Sequence, residues 1–180
     1  MARESRDAFA VWITGLPASG KSTFTAALKR QLEQRGLEFE VLESDDLRKK
    51  LAAHPAYDQA SRDAFYRQIA YIGALLTQHG ISVIFDATAN LRAYRDRARE
   101  LIPRFVEVFI DVPLETCIAR DPKGIYHGAR EGSLTAVPGI QIEYEPPLSP
   151  EFVVHGDKET PDAAASRLIA KLEALGYSKD

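Results

Sequence analysis

Five short apolar runs punctuate the chain and read as strands: "FAVWIT" (9–14), "EFEVLE" (38–43), "ISVIFD" (81–86), "FVEVFIDV" (105–112) and a brief "FVVHG" (152–156). Between them, helical spacing takes over. Phe24, Ala27, Leu28 and Leu32 lie on one face of a helix over 21–36, with Gly36 as its stop. A short helix is expected around 46–53, broken by "HPAYD" (54–58), and the longest helix over 59–79, stopped by Gly80. A highly charged helix over 92–102 ends at Pro103, "PLETCIAR" (113–120) opens with Pro113 at the first helical position, and an amphipathic helix over 161–175 closes the pattern. Continuous apolar strands alternating with helices predict a three-layer α/β/α fold, its parallel sheet of about five strands covered on both faces. One domain, 1–180, accounts for the length, and residues of about 120–150 show no periodicity. A loop of that length inside a compact domain is usually functional, often a lid.

Composition narrows the setting. With 45% hydrophobic and 27% charged residues and a net charge of −3, the chain reads as a soluble protein without general affinity for nucleic acid or anionic membrane. Cys117 is the single cysteine, and His54, His79, His127 and His155 stand far apart, which excludes an internal disulfide and argues against a zinc site. "MARESRDAF" lacks the apolar core of a signal peptide, and no apolar run approaches a membrane span, so a cytoplasmic location is expected.

The strongest chemical signal is "GLPASGKST", in which Gly15, Leu16, Pro17, Ala18, Ser19, Gly20, Lys21, Ser22 and Thr23 follow a strand and open a helix. The first eight satisfy G-x-x-x-x-G-K-[ST]. Gly15 and Gly20 let successive backbone N–H groups turn inward around phosphates, and the helix N-terminus adds positive potential. Lys21 would reach the β- and γ-phosphates of ATP, and the Ser22 hydroxyl would ligate Mg²⁺. A plain glycine-rich turn with a surface lysine is the alternative. No N-K-x-D sequence supports guanine recognition, and the chain is short for an ATPase machine, so a small kinase fits best.

A kinase also needs an acid beside the acceptor hydroxyl and cations around the acceptor's charge. "ESDDLRKKL" (43–51) emerges at the carboxyl edge of the second strand, where open α/β sheets bind ligands. Asp45 would point inward with Arg48 on the same helix face; alternatively Ser44 or Asp45 caps the helix. In "VIFDATANLRAYRDRAR" (83–99), Asp86 ends a strand, as an acid supporting Mg²⁺ would. Arg92, Arg95 and Arg99 share one helical face, with Arg92 nearest the sheet edge. A solvated face tied by Asp96 and Glu100 explains Arg95, Arg97 and Arg99 without a ligand. Arg62 and Arg67 could be functional or superficial, and Tyr57 reads as an exposed aromatic that packs or stacks on a ligand.

These residues resemble the adenylylsulfate (APS) kinases over nearly the whole chain, most specifically in "RDPKGIYHGAREG" (120–132), and also in "LESDDLR" (42–48), "RAYRDRARE" (92–100) and "GIQIEYEPPLSPEFVV" (139–154). Asp121, Pro122, Lys123, Gly124, Tyr126, Ala129 and Gly132 match the family's lid pattern. The resemblance implies transfer of the γ-phosphate of MgATP to the 3′-hydroxyl of APS and suggests a homodimer. On this reading Asp45 orients or deprotonates the hydroxyl, Arg48, Arg62 and Arg92 contact the acceptor, and Lys21, Lys123 and Arg120 stabilise the transferring phosphoryl group. Several positions depart from the family. Its D-G-D is Glu43-Ser44-Asp45, its R-x-x-N is Arg62 followed by Phe65, and Ala89 replaces a serine. Val137 replaces an aromatic that stacks on the APS adenine, so Tyr57 would supply the stack, Val137 an aliphatic wall opposite it, and Phe65 a substitute platform. "ESDDLRKKL" and "FDATANLRAYR" also look like the polynucleotide-kinase and zeta-toxin-like P-loop kinases. Two alternatives stay open: another hydroxyl acceptor (nucleotide, sugar or polynucleotide 5′-end), or a non-catalytic nucleotide-binding partner of a sulfurylase.

Overall fold

The structure is a computed structural model that describes residues 8–52 and 56–177. The N-terminal stretch through residue 7 and the expected helix break at His54 and Pro55 lie outside the described residues. Five strands, β1 (Ala10–Thr14), β2 (Phe39–Glu43), β3 (Ser82–Asp86), β4 (Phe105–Asp111) and β5 (Phe152–His155), form one sheet in the order β2-β3-β1-β4-β5. Every pairing is parallel. Among the described residues, seven helices connect and follow them: α1 (Lys21–Gln34), α2 (Ser44–Leu51), α3 (Gln59–Gln78), α4 (Arg92–Leu101), α5 (Leu114–Arg120), α6 (Ile125–Glu131) and α7 (Pro161–Ala174).

The period-two alternation of β1 divides the core. Val11 and Ile13 face a cluster built with Phe24 and Leu28 of α1 and Leu168 and Ile169 of α7. Ala10 and Trp12 face the other side, against Ile69 of α3, Phe85 of β3 and Ala98 of α4. There Trp12 stacks on Phe85 at 4.4 Å between centroids, while its indole N–H donates to the Ala87 carbonyl at 3.1 Å. Gly73 lets α3 approach closely, because a Cβ there would collide with the Phe85 ring.

Two local readings need correction. Pro113 occupies the cap position before α5, not its first helical residue. The aperiodic region beyond 120 contains α6, a seven-residue helix bounded by Gly124 (φ 66°) and Gly132 (φ 76°), both left-handed. It buries Tyr126, Gly128 and Ala129, too few residues to form a visible period.

β1 lies centrally, with β3 on one side and β4 on the other, so the connection reverses direction at its carboxyl end. That is the crevice where open parallel sheets hold ligands. Thr14, Glu43, Asp86 and Asp111 are the last residues of their strands there.

Candidate active site

The loop after β1 is a tight cradle. A Cβ on Gly15 would stand 2.9 Å from the Ile110 carbonyl oxygen and 2.8 Å from Ser19 Oγ, so only glycine fits against the neighbouring strand. Ala18 (φ 58°) and Gly20 (φ 100°) take left-handed conformations as the chain curls into α1. Lys21 Nζ donates back across the loop to the carbonyls of Gly15 (3.0 Å) and Leu16 (2.9 Å). Burial pulls its pKa below the ordinary 10.5, with Asp86, Cys117 and Asp45 pulling the other way. Ser19 Oγ is buried without a partner, while Ser22 and Thr23 are exposed at the start of α1. Spare polar groups around a glycine-lined hollow at a helix N-terminus fit a polyphosphate.

Acids stand beside this cradle. Asp86 ends β3 in register with Glu43 at the end of β2. Burial, then the charges of Asp45 and Asp86, push the Glu43 carboxyl up from its usual range. Asp45, in the first turn of α2, lies open and accepts from Lys123 Nζ of the lid at 3.3 Å. Neither Ser44 nor Asp45 caps α2: Glu43 is the cap residue and makes no side-chain cap bond. Among the described residues no group of three or more His, Cys, Asp or Glu could hold a metal by itself. Mg²⁺ in phosphate-transfer sites needs only one or two protein ligands, because substrate phosphates and waters complete its shell. Ser22 and Asp86 suit that role.

A second cluster gathers Arg48, Arg62, Tyr57 and Phe65. The Arg48 guanidinium lies over the Phe65 ring at 3.9 Å and over Tyr57 at 5.0 Å. Arg62 donates to the carbonyls of Tyr57 (2.8 Å) and Ala136 (2.7 Å), tying α3 to the lid. Its burial lowers its pKa, with Arg48 adding to that. Arg67 is a surface residue paired with Asp63 one turn before it.

The lid region is fastened at several points. Tyr126 donates to the Pro17 carbonyl of the phosphate loop at 2.9 Å, and burial raises its phenol pKa. A Cβ on Gly139 (φ 89°) would meet Leu16 at 2.8 Å, so this part of the lid rests directly on the loop. Asp121 accepts from the His127 backbone N–H at 2.9 Å; burial opposes its ionisation, but backbone donors at 125–127 prevail and lower its pKa. Further on, Tyr144 meets Thr14 at 3.1 Å, the Asn90 side chain donates to the Glu143 carbonyl at 2.9 Å, and Glu145 accepts from the Arg92 backbone N–H at 2.7 Å. Burial pushes the Tyr144 phenol up to about 12.

Several expected site residues point elsewhere. Arg92 donates through Nε to the Pro146 carbonyl at 2.9 Å, which anchors the end of the lid region. Arg120 donates to the Gly156 carbonyl at 3.1 Å. Arg95 is not on a solvated face: it is buried, paired with Glu107 of β4 at 2.6 Å, and donates to the carbonyls of Ala89 and Glu145. Arg97 pairs with Asp63, and Arg99 with Glu151 and Glu107, so the partners of this helix come from other elements rather than from Asp96 and Glu100. Val137 is 4% exposed in the α1/α7 core cluster, so it presents no open wall to a ligand. Phe65 is likewise buried, beneath Arg48, and is no free platform. Sequence reasoning passed over Thr14, Asn90, Glu107 and Tyr144. Of these, only the acidic Glu107 inside an apolar strand carried a signal, a buried charge in search of a partner.

A phosphate cradle after the central strand, flanked by strand-end acids and met by Lys123 of the 120–150 segment, defines a P-loop kinase. The family model described as adenylylsulphate kinase matches residues 7–155. The chain therefore belongs to the adenylylsulphate kinase family. It is 40% identical over 167 residues to the adenylyl-sulfate kinase of Rippkaea orientalis, covering 93% of this chain and 92% of that one. The adenylyl-sulfate kinase of Gloeothece citriformis is also 40% identical over 167 residues, with 93% and 95% covered. Among solved structures, the APS kinase CysC of Mycobacterium tuberculosis, in complex with AMPPNP and APS, superposes with a TM-score of 0.87 at 34% identity, covering 93% of this chain and 98% of that one.

Proposed function

We propose that this chain transfers the γ-phosphate of ATP to the 3′-hydroxyl of APS. The observation that carries the reading is the Lys123–Asp45 contact, which sets a lid cation against an acid beside the phosphate loop. The loop's backbone N–H groups (Pro17 has none) and Lys21 bind the phosphates, and Ser22 and Asp86 would hold Mg²⁺. Held there, Mg²⁺ would supply positive charge that offsets that of the phosphates. Asp45 accepts the proton of the hydroxyl as its oxygen bonds to the γ-phosphorus. The bond from that phosphorus to the β–γ bridging oxygen breaks, and ADP carries away the electron pair. Lys21 and Lys123 offset the charge spread over the transferring group. Arg48 and Arg62 grip the acceptor's anionic group, and the half-exposed Tyr57 stacks on its base.

Among the described residues no helix is long and apolar enough to cross a membrane. A cytoplasmic kinase domain spanning 1–180, with a lid at about 120–150 and pairing into a homodimer, completes the proposal. Light scattering checks the dimer. A second reading, the same chemistry on another small hydroxyl compound, is favoured by the burial of Phe65 and Val137. Incubation with γ-labelled ATP and APS, followed by identification of the labelled product, tests the first reading against the second.

A further inference from the structure

The Arg48 guanidinium is held in an aromatic box. Its Cζ lies 3.9 Å from the Phe65 centroid, 5.0 Å from Tyr57 and 5.9 Å from Tyr66. Among the described residues, its hydrogen bond to the Ala56 carbonyl is long at 3.4 Å and fixes the plane weakly. Stacking on a ring face does fix that plane, since guanidinium is flat and attracted to the π-system. Arg62 beside it is oriented differently, by two short bonds to main-chain carbonyls. The box walls also differ in firmness. Tyr57 is 46% exposed, whereas Phe65 is 5% exposed and packs edge-on against Tyr66 at 5.3 Å. Phe65 is the fixed floor.

We propose that Phe65 is a positioning residue for Arg48: its ring holds the guanidinium in the plane from which its N–H donors meet an anionic group of the acceptor. The proposal rests on the reading that Arg48 grips the acceptor. It assigns Phe65 no contact with substrate. Leucine at this position would keep the apolar filling and remove the ring face.

The test compares wild type, Phe65→Leu and Phe65→Tyr in two measurements: steady-state kinetics with ATP and APS, and side-chain NMR of arginine-labelled protein without ligand. Phe65→Leu should raise KM for APS about 3- to 30-fold, the range of a partly desolvated cation–π contact, with kcat and KM for ATP within about twofold of wild type. Phe65→Tyr should restore KM. In wild type the Arg48 Nε–H proton should resonate upfield through the ring current, and Phe65→Leu should move it back. An unchanged KM for APS in Phe65→Leu, or equal damage to kcat and to KM for ATP, overturns the positioning role. If wild type does not phosphorylate APS, the acceptor reading falls by itself, and the NMR measurement decides the stack. If Phe65→Leu does not fold, the wild-type resonance decides: an unshifted Arg48 overturns the proposal, and an upfield one supports it.

Discussion

Lys123 Nζ lies 3.3 Å from a carboxylate oxygen of Asp45, linking the lid to the first turn of α2 across 78 residues of chain. Both side chains are more than half exposed, so the pair adds little to stability. Its consequence is positional: the 120–150 segment sets a cation against an acid beside the phosphate loop.

Asp45→Asn separates catalysis from capping. Because Asp45 makes no cap bond, the melting temperature should stay near wild type. Loss of the proton acceptor should lower kcat by roughly 10²–10⁴-fold, with little change in KM for ATP. Kinetics and a thermal melt on the same preparation check both parts.

Lys21→Ala should leave the fold intact, since among the described residues the amine bonds only to carbonyls of its own loop. Transfer should fall by at least about 10²–10³-fold, the loss expected when a charge-stabilising donor is removed. Titration with a non-hydrolysable ATP analogue should still show binding, through the backbone donors that remain.

Val137→Phe would give the acceptor's base an aromatic wall only if position 137 faced the site, but Val137 is buried among core side chains. The larger ring should cost about 1–3 kcal/mol by overpacking. A lower melting temperature without improvement in kcat/KM for APS is the expected outcome.

Glu151 gives a signed pH dependence. Burial disfavours its charge, but bonds from Arg99 and the Glu107 backbone N–H prevail and hold its pKa below the ordinary 4.5. A carboxyl whose folded pKa is depressed contributes stability above its unfolded pKa and loses that contribution as pH falls through the folded value. Denaturant melts at about pH 6 and about pH 3 should therefore differ less in Glu151→Gln than in wild type.

The inner strands were legible as largely apolar runs, β2 as an alternation of apolar and acidic residues at the sheet edge, and the phosphate loop because its residues act at fixed spacing. What escaped depends on pairs far apart in the chain. Thr14 and Tyr144 meet across 130 residues, and nothing in the local spacing around Arg95 announces Glu107 on another element. A helical-face argument places Arg95 beside Arg92 and Arg99 correctly, yet cannot say whether that face meets water or a strand. Phe65 and Val137 were misjudged for the same reason. Whether a side chain lines a pocket or fills a core depends on where the lid rests, and Gly139 lying on Leu16 sets that. α6 escaped because two left-handed glycines, not a hydrophobic period, define its ends.

The most direct test of the account is kcat/KM with γ-labelled ATP and a panel of acceptors: APS, nucleosides, sugars and 5′-hydroxyl DNA. APS should be the preferred acceptor, labelled on its 3′-hydroxyl, and Asp45→Asn should lose this activity. No labelling of APS, alongside efficient labelling of another hydroxyl compound, would contradict the proposed acceptor.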